Sequence, residues 1–123
     1  MRRFIVITIV LLFAVPALAA HRHLEKEYQM AWCNKRGGIQ EYRLDDGARV
    51  DCLLPEYAVE FDFAPKWAEC IGQALYYGKK TDRHPACVLI LEGNEDEAFI
   101  ERLRITATQT GVKWWTMDGR DLK

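Results

Sequence analysis

The chain has 123 residues, with 17 Lys and Arg against 18 Asp and Glu. That balance excludes a protein drawn to polyanions by its overall charge, so any grip on nucleic acid must come from a local patch. The length allows one modest core.

The N-terminus has three zones. Met1-Arg2-Arg3 is positive, residues 4–16 are apolar and uncharged, and Ala17-Leu18-Ala19 is a small-x-small site. This is the pattern of a secretory signal peptide cut after Ala19 or Ala20. The apolar run is short for a membrane span of about 20 residues. The expectation is a signal peptide over 1–20 and a single domain over 21–123. The protein would be exported, periplasmic or secreted, with no stable membrane association after cleavage. Without Arg2 and Arg3 the domain carries 15 basic and 18 acidic residues, a net of −3.

Residues 21–35 read as a helix, with Leu24, Tyr28, Ala31 and Trp32 at helical spacing and Gly37-Gly38 as its stop. His21 and His23, at the new N-terminus, are expected to fray. Residues 39–44 form a short strand, Asp45-Asp46-Gly47 a turn, and residues 49–54 a second strand. Residues 57–63 then alternate strictly. Tyr57, Val59, Phe61 and Phe63 fall on one face, and Ala58, Glu60 and Asp62 on the other.

Pro65 opens a second helix, expected to end at Gly78 after Tyr77. Residues 86–91 are continuously apolar, the pattern of a strand buried on both faces. Asn94 is placed to cap a third helix with Glu95, Asp96 and Glu97 in its first turn. Phe99, Ile100, Leu103 and Ala107 form its buried side, Gly111 ends it, and residues 112–117 are a last strand.

The order αβββαβαβ predicts an α/β (α+β) domain. An antiparallel three-strand meander is extended by two parallel strands, giving a mixed sheet flanked by helices. The four cysteines lie beyond the signal, and an even number in an exported chain favours two disulfides. Of the three possible pairings, Cys33–Cys52 with Cys70–Cys87 is the expected one. No Cys-x-x-Cys pair is present, which argues against zinc.

The acidic residues carry the chemistry. Asp51 lies mid-strand, and a short turn makes it a cross-ladder neighbour of Glu60, about 5 Å away. Carboxylates so close repel one another at neutral pH. A hard divalent cation relieves the repulsion, and Mg²⁺ typically takes one or two carboxylates plus waters. Such an ion activates water and polarises a phosphodiester. The same alternation also describes a solvated polar face, so periodicity alone leaves both readings open.

Gly47-Ala48-Arg49-Val50-Asp51, then Ala58-Val59-Glu60-Phe61-Asp62-Phe63, then Gln73-Ala74-Leu75-Tyr76-Tyr77 resembles the PD-(D/E)XK nuclease superfamily. This is the restriction-endonuclease-like fold, which includes Holliday-junction resolvases and exonucleases with a Gln-xxx-Tyr helix motif. The resemblance spans residues 25–115. It implies a metal-dependent nuclease using Mg²⁺ or Mn²⁺, with nucleic acid as partner. Asp51 and Glu60 would be metal ligands, and the Phe61 carbonyl would complete the coordination. Glu27 would be the acidic residue on the first helix, pointing into the cleft while Glu25 points away. Gln73 would orient water or phosphate, with Tyr77 facing the same cleft.

The departure is Glu60-Phe61-Asp62, where the motif asks for Glu-x-Lys. Three outcomes stay open. Lys66 supplies the cation, or Asp62 holds a second metal, or the domain binds without cutting, as a secreted interaction module. Lys79, Lys80, Arg83 and His84 form a basic cluster that either grips phosphates or is a solvated loop. Trp32, Trp67, Trp114 and Trp115 are expected to pack rather than stack on bases, and Glu69 to be a solvated acid. No nucleophile triad is present. The sequence leaves the oligomeric state unknown.

Overall fold

A computed structural model describes residues 21–123; the expected signal peptide lies outside the described residues. Helix α1 (Glu25–Lys35) precedes three strands: β1 (Ile39–Arg43), β2 (Arg49–Leu53) and β3 (Tyr57–Phe63). A 3₁₀ turn (Ala64–Lys66) leads into α2 (Trp67–Thr81), followed by β4 (His84–Leu91), α3 (Asp96–Thr110), β5 (Lys113–Asp118) and a final 3₁₀ turn (Gly119–Leu122). The strands form one mixed sheet in the order β1-β2-β3-β4-β5. β1–β2 and β2–β3 are antiparallel, while β3–β4 and β4–β5 are parallel. The domain is therefore α+β, a mixed five-strand sheet flanked by helices.

Two apolar layers sandwich the sheet. On one side α1 contributes Tyr28, Trp32 and Cys33, which meet Val59, Phe61, Phe63, Val88 and Ile90. On the other, Cys70, Ile71 and Ala74 of α2 and Leu103 and Ala107 of α3 cover Cys87 and Leu89. β3 therefore has cover on both faces. Six of its seven residues are buried, Glu60 and Asp62 among them. The alternation read from the sequence is real, but the polar face is dry. The tryptophans pack as expected: Trp32 meets Phe61 and Trp115 edge-on or tilted, and Trp67 and Trp114 pack against the second layer.

Several boundaries differ from the sequence expectation. α1 starts at Glu25, not at residue 21. The preceding residues are held rather than frayed. The Glu92 carboxylate accepts from the Arg22 and His23 amides (3.1 and 3.2 Å), the Tyr28 hydroxyl (2.6 Å) and the His21 ring (3.2 Å). His21 also stacks on Phe63 at 3.5 Å between ring centroids. α2 runs through Gly78 to Thr81 and is capped by Asp82, which takes the left-handed conformation (φ 53°). Gly78 serves a close approach instead of a stop, since a Cβ there would lie 2.9 Å from the Arg83 carbonyl oxygen.

The cysteine expectation holds for one pair. Cys33 and Cys52 are bonded, linking α1 to β2. Gly38 fits beside this bridge because a Cβ would stand 2.5 Å from Cys52 Sγ. Cys70 and Cys87 are buried thiols, not a second disulfide. Burial pushes the Cys70 thiol well up, and its Sγ donates to the Glu60 carbonyl at 3.5 Å. Among the described residues no helix is long and apolar enough to cross a membrane.

Candidate functional site

β2 and β3 pair only at Cys52–Val59 and Leu53–Ala58. Continuing that register would set Asp51 opposite Glu60, but the ladder stops there. Asp51 Oδ2 instead accepts the Phe61 N–H at 2.9 Å, so a side chain takes the place of a strand bond. The strands part at this point, and the Asp51 and Glu60 carboxyls act on one another electrostatically.

These groups are poorly accommodated as anions. Glu60 and Asp62 are each 5 % exposed, and Glu60 Oε2 and Asp62 Oδ2 have no hydrogen-bond partner. Burial, then the charges of Asp51 and Asp62, push the Glu60 carboxyl far up. Burial also raises Asp51, against the lowering effect of the Phe61 N–H. Asp62 is pushed up to about 7 by burial and by Glu25, with Lys66 pulling the other way. Two buried carboxyl oxygens without partners cost about 1–3 kcal/mol each unless protonated or coordinated.

The first helix supplies a different acid from the one expected. The buried residues of α1 are Tyr28, Gln29, Trp32 and Cys33. Glu25 stands one turn before Gln29, is half-buried, and acts electrostatically on Asp51, Glu60 and Asp62. Burial raises its own carboxyl, an effect Lys66 opposes. Glu27 is exposed and turned back on the helix start, where Oε2 accepts the Leu24 N–H at 2.6 Å. Glu27, expected as a metal ligand, thus sits on the exposed side of the helix, and Glu25 is the acid of α1 that acts on the buried carboxyls.

α2 runs past the site from its N-terminal end. Lys66 is exposed and 3.9 Å from the equally exposed Glu69. Gln73 is half-buried one turn before Tyr77, whose hydroxyl donates to Gln73 Oε1 at 3.2 Å. That bond turns the Gln73 NH₂ away from the tyrosine. Tyr77 is buried, and its hydroxyl is pushed up to about 12 by burial and by the charges of Glu60 and Asp51.

The basic cluster is not part of this constellation. Lys79, Lys80 and Arg83 lie at the far end of α2. There Lys80 pairs with Asp45 at 2.7 Å and Arg83 Nε donates to the Pro55 carbonyl at 3.2 Å. Tyr76 adds a bond to Asp46, so this end of the helix clamps the β1–β2 turn. Lys80 and Arg83, expected as phosphate contacts, thus each have a partner within the chain. His84 opens β4, and Lys79 is exposed.

Among the described residues no three His, Cys, Asp or Glu side chains converge into a ready-made metal cage. A hard ion such as Mg²⁺ does not need one, since one or two carboxylates and several waters suffice. Glu60 Oε2, buried and without a partner, is one carboxylate oxygen such an ion could take. Sequence reasoning missed Glu41 and Gln29. Glu41 is opposite Asp51 in β1 with a left-handed backbone (φ 51°), which the sequence does not announce. Gln29 looked like one polar residue among several on α1. A scan of protein-family models gives no match, and no curated protein and no solved structure shows significant similarity to the chain.

Proposed function

We propose that this chain is an exported, metal-dependent phosphodiesterase of nucleic acid, built on a restriction-endonuclease-like domain. The observation that carries the reading is the pair Asp51–Glu60, set opposite by the register of strands that part at that point, with a buried Glu60 oxygen that has no partner. The order of helix, three strands, helix and strand supports it, as does Gln73 one turn before Tyr77.

Asp51 and Glu60 would hold Mg²⁺ or Mn²⁺. In an extended strand the N–H and C=O of one residue leave on the same side. The Phe61 carbonyl is therefore directed with its N–H toward Asp51, where it can add an oxygen. The bound ion would lower the pKa of a coordinated water and polarise the phosphodiester. Gln73, its carbonyl oxygen engaged by Tyr77, offers NH₂ donors to water or to a phosphate oxygen. Asp62 stands where the motif has lysine, so positive charge must come from elsewhere. Lys66 is the cation nearest in chain to Asp62, and it already acts on that carboxyl. The exposed Lys66 and the acid at position 62 favour one second reading, a binding module on the same fold that does not cut.

The test is calorimetric titration of Mg²⁺ and Mn²⁺ into the oxidised 21–123 protein and into Asp51→Asn, followed by incubation with single- and double-stranded DNA and RNA. Binding that disappears in Asp51→Asn together with metal-dependent cleavage supports the phosphodiesterase. Binding without cleavage of any substrate leaves the binding module. Absence of binding, with and without a non-cleavable oligonucleotide, overturns both the metal site and the enzyme.

A further inference from the structure

We propose that Gln29 is the positioning residue of this site: from α1 it fixes the backbone of Asp51 and so sets the carboxylate that faces Glu60. The inference rests on the reading of Asp51 and Glu60 as cation ligands.

Three polar side chains are buried among the described residues: Glu60, Asp62 and Gln29. The first two belong to the acidic site. The third, 2 % exposed, spends its amide on the same place. Gln29 Nε2 donates to the Asp51 carbonyl at 2.8 Å and to Glu41 Oε1 at 3.2 Å. A regular β1–β2 ladder would need neither bond. Its pairs run Gln40–Cys52 and Tyr42–Val50, with Glu41 between them opposite Asp51. Glu41 leaves the extended conformation at that point, with φ 51°.

A left-handed backbone at a residue with a long side chain is strained, and persists only where its surroundings hold it. Here the hold is the Gln29 bridge, with Arg49 Nε 3.9 Å from the other Glu41 oxygen. Asp51 is consequently gripped at both ends. Its carbonyl is held from α1 by Gln29, and its Oδ2 is held from β3 by the Phe61 N–H. Outer-shell bonds of this kind orient ligands, and losing one typically weakens metal binding about 10–100-fold.

Two variants and two readouts test this. Gln29→Met keeps the volume and removes the amide. Glu41→Gly removes the acceptor of the bridge while tolerating the positive φ. The readouts are the Mn²⁺ dissociation constant, and hydrogen exchange at the Phe61 amide in the metal-free protein. The expected result for Gln29→Met is Mn²⁺ affinity at least about tenfold weaker and Phe61 exchange at least about tenfold faster. For Glu41→Gly it is weaker Mn²⁺ binding with a melting temperature no lower than that of the starting protein. A merely structural glutamine would change melting alone.

Wild-type Mn²⁺ affinity and unchanged Phe61 protection in a folded Gln29→Met overturn the inference. Should that variant fail to fold, unchanged Mn²⁺ affinity in Glu41→Gly overturns it instead. If the starting protein binds no Mn²⁺ at all, the cation reading falls. Phe61 exchange in Gln29→Met then still decides whether Gln29 positions Asp51.

Discussion

Glu25 and Glu27 differ by two positions and have opposite fates. The helical spacing of Leu24, Tyr28, Ala31 and Trp32 pointed to a buried face that Glu27 would border. In the structure Leu24 is 72 % exposed, and the buried face runs through Tyr28, Gln29, Trp32 and Cys33. Residues one turn apart share a side, so the face that buries Gln29 also turns Glu25 inward. The error was one of helix rotation: a small polar contact outweighed an exposed leucine. The nearness in register of Asp51 and Glu60 was legible because period-two alternation and a short turn set it, although the ladder ends one pair before them. Glu41 was not, because no residue-type rule marks a glutamate for positive φ.

The same scale carries the prediction for Asp62. Its carboxyl is raised to about 7, mainly by burial. A carboxyl raised on folding adds stability below its unfolded pKa, near 4, and loses it as pH rises through the folded value. The metal-free protein should therefore unfold more readily at pH 8 than at pH 5. Asp62→Asn removes the charge and leaves a buried polar group, so it should lessen that pH dependence and be more stable than the starting protein at pH 8 but not at pH 5. Urea unfolding at the two pH values checks it. A pH-independent difference between the two proteins would refute it.

At the scale of elements, α2 shows a local rule overridden by packing. Glycine after Tyr77 reads as a helix stop, yet α2 passes through Gly78 to Thr81 because β4 returns directly against it. Replacing Gly78 by alanine should gain about 1 kcal/mol from propensity alone. The added Cβ would meet the Arg83 carbonyl at 2.9 Å and Pro85 at 3.1 Å; Pro85 lies in β4, and the Arg83 N–H is bonded back to the Gly78 carbonyl. Overpacking against fixed backbone costs about 1–3 kcal/mol, so the net sign of Gly78→Ala should be destabilising. Thermal melting decides it.

The opposite end of the sheet offers a second case. Glu92, just after β4, gathers the chain before α1. Burial raises its carboxyl, but bonds from Tyr28, Arg22, His23 and His21 outweigh this and hold it below its usual value. A depressed carboxyl contributes stability above its unfolded pKa, near 4.3, and loses it as pH falls through the folded value. Glu92→Gln should cost about 1–3 kcal/mol at pH 7, and the cost should fade as both proteins are titrated below pH 4. Circular dichroism across that range tests it, and a gap that persists at pH 3 would count against the carboxylate.

For the whole molecule, strand directions followed from the sequence because the connections constrain them. Short turns impose antiparallel neighbours, and helical crossovers impose parallel ones. What the sequence could not supply was how far α1 lies over the opened end of β2, since that depends on packing across the sheet. The Cys33–Cys52 bridge bears on that position. Cys33 lies one helical turn after Gln29, and Cys52 directly follows Asp51, so a covalent link runs beside the Gln29–Asp51 bond. The bridge closes a loop with a sequence separation of 19, for which chain entropy alone gives about 3 kcal/mol. A small domain with one modest core has a total stability of about 5–15 kcal/mol. Cys33→Ala with Cys52→Ala should thus remove a large share of it without abolishing folding, and should loosen the hold of α1 on Asp51. The expected outcome is a lower urea midpoint with unchanged far-ultraviolet dichroism, together with faster exchange at the Phe61 amide. Loss of stability with Phe61 protection intact would show that the bridge acts only on the unfolded chain, and that noncovalent packing alone holds α1 in place.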